Sequence, residues 1–195
     1  MKTIYIVRHA ITIENEKGIS QGHKFGTISE TGYKQIEHLA NHFKTLSVDM
    51  IISSDLARCQ ITARELEKTT KAPVLYSPSI REIARGDWEG TQKTQKDYDT
   101  LPGKYESRKA PNGESLEEVL ERAKQFWNEI TEFDQNNILI VSHGGFLKLL
   151  IGHLLGMSVE NSIKRLSLDN CSLTMIRYEN NTPKVKLLND TGHLP

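Results

Sequence analysis

The chain has 195 residues, in which 25 Lys and Arg balance 25 Asp and Glu to a formal net charge of zero. That balance excludes the global basic field that would draw in nucleic acid or an anionic membrane, so any anion site must be local. A chain of this length buries roughly 70% of its unfolded surface as one domain, here 1–195, without disulfides or structural metals, and Cys59 and Cys171, which lack metal-ligand spacing, read as reduced buried thiols of a cytoplasmic protein.

Within residues 3–9, Ile4, Tyr5, Ile6 and Val7 form an apolar run that stops at Arg8 and His9. Such a run predicts a central strand of an α/β sheet whose C-terminal end opens on a site. An isolated Arg-His pair more often begins a solvated loop; its weight depends on what later stretches bring. Residues 10–28 form a polar connection long enough to suggest a functional loop, with Asn15, Gly18, Gln21, Gly22 and Gly26 along it. Ser29 then caps a helix with Tyr33, Ile36, Leu39, Ala40 and Phe43 on one face. His38 and His42 share the opposite face, where two imidazoles without a third ligand read as solvated rather than as a metal site.

Residues 50–53 predict a second strand, after which Ser54-Asp55 cap a helix to about residue 70 with Leu56, Cys59, Ala63 and Leu66 as its buried stripe. Arg58 lies off that stripe in the first turn, where the helix dipole favours anions. It is therefore either a surface residue or offset by a bound anion. A third strand over 73–76 leads to Arg81-Glu82-Ile83 and the turn Gly86-Asp87-Trp88-Glu89-Gly90. Residues 91–112 carry no sustained period and read as an excursion over the site, with Lys93, Lys96, Tyr98, Tyr105 and Arg108 available to a small polar substrate. From Ser115, Leu116, Val119, Leu120, Ala123, Phe126, Trp127 and Ile130 give a regular amphipathic helix.

Residues 138–141 repeat the first pattern: an apolar run ending in Ser142-His143-Gly144-Gly145, then a helix over 146–155. The glycines permit close backbone approach, and free N–H groups at the helix start favour an anion. Two closing strands, 171–178 and 184–188, end in the turn-forming Asn189-Asp190-Thr191-Gly192. No signal-like segment precedes the first strand, and Lys148, Gly152 and His153 interrupt the apolar run 146–157, so no membrane span is expected. The fold class is α/β, a three-layer sandwich with a mostly parallel central sheet flanked by helices. Because open α/β sheets bind ligands at the carboxyl ends of their strands, Arg8, His9, Arg58, Glu82 and His143 could converge there.

In these stretches the chain resembles the histidine phosphatase superfamily, the phosphoglycerate-mutase-like group. The resemblance runs through Val7-Arg8-His9-Ala10, Thr12, Asn15, Gln21-Gly22, Ser53-Ser54-Asp55-Leu56-Ala57-Arg58, Arg81-Glu82-Ile83, Trp88-Glu89-Gly90, Gly113-Glu114-Ser115, Ser142-His143-Gly144-Gly145 and Asn189-Asp190-Thr191-Gly192-His193-Leu194. It implies a phosphomonoester hydrolase acting on a small phosphorylated metabolite through a phosphohistidine. His9 would be the nucleophile, with Arg8, Arg58 and His143 on the phosphoryl oxygens. Asn15, Gln21, Gly22 and Gly144 would line the pocket, and neither metal nor cofactor would be needed. Glu82 matches the proton donor, a role that requires burial beside phosphate to outweigh the arginines that lower its pKa.

The alternatives are a phosphoglycerate-mutase-type isomerase and a catalytically silent regulator that binds a phosphorylated ligand. One departure concerns Ala10 and Ile11, where many relatives carry Gly and Glu. If position 10 needed a positive φ, Ala would cost about 1 kcal/mol.

Overall fold

The computed structural model describes residues 1–92 and 95–195; Lys93 and the side chain of Lys96 lie outside the described part. In chain order the elements are β1 (Lys2–Arg8), α1 (Ile13–Glu16), α2 (Glu30–Phe43), β2 (Met50–Ser54), α3 (Ala57–Thr70), β3 (Val74–Ser77), α4 (Gln95–Asp99) and α5 (Leu116–Thr131). They continue with β4 (Asn137–Ser142), α6 (Gly144–Leu154), α7 (Val159–Arg165), β5 (Leu173–Glu179) and β6 (Thr182–Asp190). The strands form one six-stranded sheet in the order β3-β2-β4-β1-β5-β6. The pairs β3/β2, β2/β4 and β4/β1 are parallel, and β5 and β6 are added antiparallel.

The continuous apolar runs follow from a sheet covered on both faces, because successive side chains point to opposite sides and both sides are dry. Ile4, Ile6, Ile52, Ile138 and Ile140 pack with Leu116, Val119, Phe126 and Trp127 of α5 and with Phe146 and Leu150 of α6. Their sequence neighbours Tyr5, Val7, Ile51, Leu139 and Val141 pack with Ile36, Leu39 and Phe43 of α2 and with Cys59, Ala63 and Leu66 of α3. The expected three-layer α/β arrangement is what the chain adopts. Both cysteines are buried free thiols. No helix among the described residues is long and apolar enough to cross a membrane.

Two of the expected caps start their helices. Ser115 and Glu118 form a reciprocal capping box at the start of α5, and Ser29 Oγ accepts from Gly32 N–H at 3.2 Å at the start of α2. The differences have physical causes. Tyr33, expected on the inner face of α2, is exposed, and Gly32 is the buried residue there. A Cβ at Gly32 would lie 2.2 Å from the Ile11 carbonyl oxygen, so the helix approaches that loop too closely for a side chain. The 10–28 loop contains α1, set by a capping box between Thr12 and Asn15. The helix after β4 starts at Gly144, two residues before the expected start, and the short α7 follows it with no sequence signal of its own. Ala10 is not among the residues with positive φ, so the missing glycine costs nothing at this position.

The 91–112 segment departs most from expectation. Tyr98 and Tyr105 do not face a ligand; they are 4% and 9% exposed, stack edge to face at 5.7 Å and belong to the core beneath α5. The phenol of Tyr98 donates to the Arg108 carbonyl, which satisfies the one polar atom that burial would otherwise penalise. Replacing Tyr98 by Ala is therefore expected to destabilise the fold by about 3 kcal/mol, as measured by urea denaturation. A change in substrate preference with full stability would return Tyr98 to the site.

Candidate active site

The register of two strands creates the site. β1 and β4 align Val7 with Val141 and Arg8 with Ser142, and the His9 N–H extends the ladder to the Ser142 carbonyl at 2.9 Å. His9 and His143 consequently leave the sheet side by side, with ring centroids 5.2 Å apart.

His9 is 3% exposed. Its Nδ1 lies 2.8 Å from the Ala10 carbonyl oxygen, an acceptor, so Nδ1 carries the ring proton and Nε2 is left with its lone pair. Burial, Arg58 and Arg8 push the His9 pKa well below the usual histidine value, which keeps the ring neutral. Asn170 Nδ2 donates to the His9 carbonyl at 2.8 Å and holds the backbone from the opposite side.

Arg58, placed off the predicted stripe, is 1% exposed. Its Nε donates to His143 Nδ1 at 3.2 Å, Nη1 to the Lys24 carbonyl at 2.9 Å and Nη2 to the Gly22 carbonyl at 2.7 Å. These bonds lock the guanidinium plane and leave one hydrogen on each terminal nitrogen for a ligand. Gly22 is indispensable to this arrangement: its φ is +51° and a Cβ would fall 2.1 Å from Glu89 Oε1.

His143 is fully buried behind Arg58 and does not line the cavities at the strand ends. Its Nδ1 accepts from Arg58, so Nε2 bears the proton and donates to Ser54 Oγ at 2.8 Å. Ser54, expected as a helix cap, is thus turned inward; Leu56 occupies the cap position of α3 without a side-chain bond. Burial and Arg58 push His143 well below its ordinary pKa.

The free N–H groups at the start of α6 do meet an anion, but that anion is Glu82. Its carboxylate accepts from Gly145 N–H at 3.0 Å, Phe146 N–H at 3.1 Å and Ile83 N–H at 2.9 Å. A Cβ at Gly145 would lie 2.5 Å from Glu82 Oε1, which explains the second glycine. Burial alone would raise the Glu82 pKa, yet these N–H donors together with Arg85 and Arg58 outweigh it and leave the pKa below the usual value. The proton-donor role requires burial beside phosphate to win; in the site without phosphate the donors and arginines win.

Two cavities meet at these residues. The inner one, about 180 Å³, is lined by Arg8, His9, Asn15, Gln21, Gly22, Arg58, Glu82 and Arg85. The outer one, about 570 Å³, shares Arg8, Glu82, Arg85 and Gly145 and continues over Gly144, Lys148, Lys164 and Asp169. Three arginines against one carboxylate leave the inner cavity about two positive charges, a match to a phosphoryl dianion. Asn15 Oδ1 accepts from the Thr12 N–H to close the capping box of α1, and Gln21 Nε2 donates to Thr12 Oγ1 at 2.9 Å, so both also shape the loop. Arg85 and Asn170 are not marked by any motif in the sequence, and Ser54 is marked there only as a helix cap and as part of the resemblance. Only Arg85 had a usable signal, as a cation three residues after Glu82. Among the described residues no group of three His, Cys, Asp or Glu side chains could hold a metal ion.

A buried imidazole beside arginines at the carboxyl ends of parallel strands defines an α/β protein with a cavity built for an anion. The profile of the histidine phosphatase superfamily (branch 1) matches residues 4–191, and the chain belongs to that family. It is 31% identical over 164 residues to the "adenosylcobalamin/alpha-ribazole phosphatase" of Escherichia coli strain K12, covering 80% of this chain and 81% of the relative. It is also 31% identical over 191 residues to the "probable phosphoglycerate mutase GpmB" of Erwinia tasmaniensis, covering 92% and 86%. The solved mycobacterial glucosyl-3-phosphoglycerate phosphatase in complex with VO3 superposes with a TM-score of 0.86 at 26% identity, covering 98% of this chain and all of that one. This kinship supports phosphatase activity without naming the substrate.

The neutral imidazoles make stability depend on pH. Unfolded histidines take up protons as pH falls through about 6.5, whereas His9 and His143 stay neutral, so acid favours the unfolded chain. Stability present above about pH 6.5 is lost below it at up to about 1.4 kcal/mol per pH unit for each such histidine. Urea denaturation between about pH 5.5 and 7 should show this slope, and His143→Asn should reduce it by one histidine's share. An undiminished slope would mean that His143 is protonated in the fold.

Proposed function

We propose that the protein is a metal-independent phosphomonoesterase in which His9 Nε2 carries the phosphoryl group between substrate and water. The observation that carries this reading is the His9 Nδ1 to Ala10 carbonyl bond, which aims a neutral imidazole's free lone pair into a cavity shared with Arg8, Arg58 and Glu82. Nε2 attacks phosphorus as the phosphorus–oxygen bond to the alcohol breaks, and Arg8 and Arg58 balance the charge on the equatorial oxygens. Glu82 hands a proton to the departing oxygen. The same carboxylate then takes a proton from water as the water oxygen attacks phosphorus, returning neutral His9 and inorganic phosphate.

Because Glu82 is held ionised in the free site, the proton it donates arrives with the substrate, whose second phosphate ionisation lies near about pH 6. His143 acts from behind, fixing the Arg58 guanidinium. The donor set of three arginines, an imidazole and one carboxylate supports the absence of a metal requirement. The relative named as a phosphoglycerate mutase keeps an isomerase as the second reading.

Release of inorganic phosphate from a panel of phosphomonoesters, insensitive to chelators and abolished in His9→Ala, is expected; an isomerised ester without phosphate would favour the mutase. Glu82→Gln should separate alkyl from activated aryl esters. Loss on alkyl phosphates should exceed that on aryl phosphates by about 10²- to 10⁴-fold, because a phenolate leaves without a proton. Equal losses on both would make Glu82 structural.

A further inference from the structure

The segment that carries Glu82 has no ladder of its own. Residues 81–85 belong to neither helix nor strand, so the backbone groups around the carboxylate must find partners elsewhere. Arg122, in the second turn of α5, supplies several of them. Its Nη1 donates to the Ser79 carbonyl at 3.0 Å and to the Arg81 carbonyl at 2.8 Å, and its Nη2 donates to the Glu82 carbonyl at 3.0 Å. The remaining two N–H groups, on Nε and Nη2, form a fork on the Glu114 carboxylate at 3.0 Å each. Every donor of the guanidinium is then in use.

Glu114 closes the clamp. Its Oε2 accepts from the Ala84 N–H at 2.8 Å, and its own N–H donates to the Ala84 carbonyl at 2.9 Å. A Cβ at Gly113 would lie 2.7 Å from that carbonyl oxygen, so the glycine is what permits the approach. The Arg122 guanidinium also lies over the Phe146 ring, with Cζ 5.1 Å from its centroid, and the Phe146 N–H is one of the three donors to the Glu82 carboxylate. The grip of α5 on the Glu82 backbone and the grip of α6 on its carboxylate are thus tied together through one cation. Arg122 borders neither the inner nor the outer cavity, so it has no direct contact to offer a substrate there.

Building on the phosphomonoesterase reading, we propose that Arg122, paired with Glu114, is the positioning residue for proton transfer: it fixes the Glu82 backbone so that the carboxylate stands where the leaving oxygen departs. Lysine is no substitute, because an ammonium carries three N–H groups on one atom and lacks the planar fork that serves three carbonyls and a carboxylate at once. His9, Arg8 and Arg58 are held by other partners, through the Ala10, Leu168, Lys24 and Gly22 carbonyls. Losing the clamp therefore impairs the proton donor and spares the nucleophile. The effect belongs in kcat/KM for esters of poor leaving groups, since kcat/KM reports formation of the phosphohistidine and an activated phenolate departs without a proton.

The test measures kcat/KM for p-nitrophenyl phosphate and for the alkyl phosphate that the unaltered enzyme hydrolyses fastest, in Arg122→Lys, in Glu82→Gln and in the double variant. Arg122→Lys keeps the charge and loses the fork; it should lower the alkyl value by about tenfold to a hundredfold and the aryl value by less than about threefold. In the Glu82→Gln background the same substitution should leave the alkyl-to-aryl ratio unchanged within about twofold, because the group it positions is already gone. The ratio is internal to each variant, so partial misfolding cancels. Should Arg122→Lys not fold at all, Glu114→Gln, which weakens the hold on the fork, must move the ratio in the same direction by about threefold or more. Equal losses on both esters, an unmoved ratio, or the same extra loss in the Glu82→Gln background would overturn the proposal. If p-nitrophenyl phosphate is hydrolysed and no alkyl ester is, or if Glu82→Gln itself leaves the ratio unchanged, the positioning role is wrong and the phosphatase reading stands. If no ester is hydrolysed, the phosphatase reading itself fails.

Discussion

A neutral imidazole has to be kept in place between two arginines, and the hydrogen bond from His9 Nδ1 to the Ala10 carbonyl does this. Burial, reinforced by the guanidiniums of Arg58 and Arg8, makes protonation of the ring costly, which preserves its lone pair, while the carbonyl decides which nitrogen bears that lone pair. Were the bond absent, the ring could turn and present a protonated nitrogen to the cavity. Much of the surrounding structure secures this geometry: Asn170 grips the His9 carbonyl, and the Ala10 N–H donates to Thr62 Oγ1 at 3.2 Å.

Two close backbone approaches complete the arrangement. Gly22 lets the 10–28 loop lie against Glu89 and offer its carbonyl to Arg58, so the loop and α3 are joined through one guanidinium. Gly145 lets the start of α6 close on Glu82, so that the helix N-terminus holds a carboxylate belonging to the chain itself. The positive charge of the inner cavity then comes from side chains, and the helix N-terminus is spent on stabilising Glu82 in its ionised form. Position and protonation of Glu82 are set by the same three N–H groups.

The sheet and the convergence of Arg8, His9, Arg58, Glu82 and His143 were legible because each comes at or just beyond the end of a strand whose burial shows as an uninterrupted apolar run. Arg58 was ambiguous in sequence, since a cation off the hydrophobic stripe is indistinguishable from a surface residue until its carbonyl partners, 34 and 36 residues away, are in place. Ser54 looked like a cap because Ser and Asp before a helix usually are, and a hydrogen bond to His143 from 89 residues away took precedence. Tyr98 and Tyr105 misled for the converse reason: in a segment without periodicity, aromatic residues give no sign of which side faces the core. The depressed pKa of Glu82 likewise rests first on the Gly145 N–H, 63 residues distant, which no residue type announces.

The central claim, that Nε2 of His9 is the atom that bonds phosphorus, is tested most directly by trapping the phosphoenzyme at alkaline pH and locating the phosphoryl group by ³¹P NMR and peptide mass spectrometry. The account predicts acid-labile phosphate on His9 at Nε2. Phosphate on Nδ1, on another residue, or on no residue during steady turnover would contradict it.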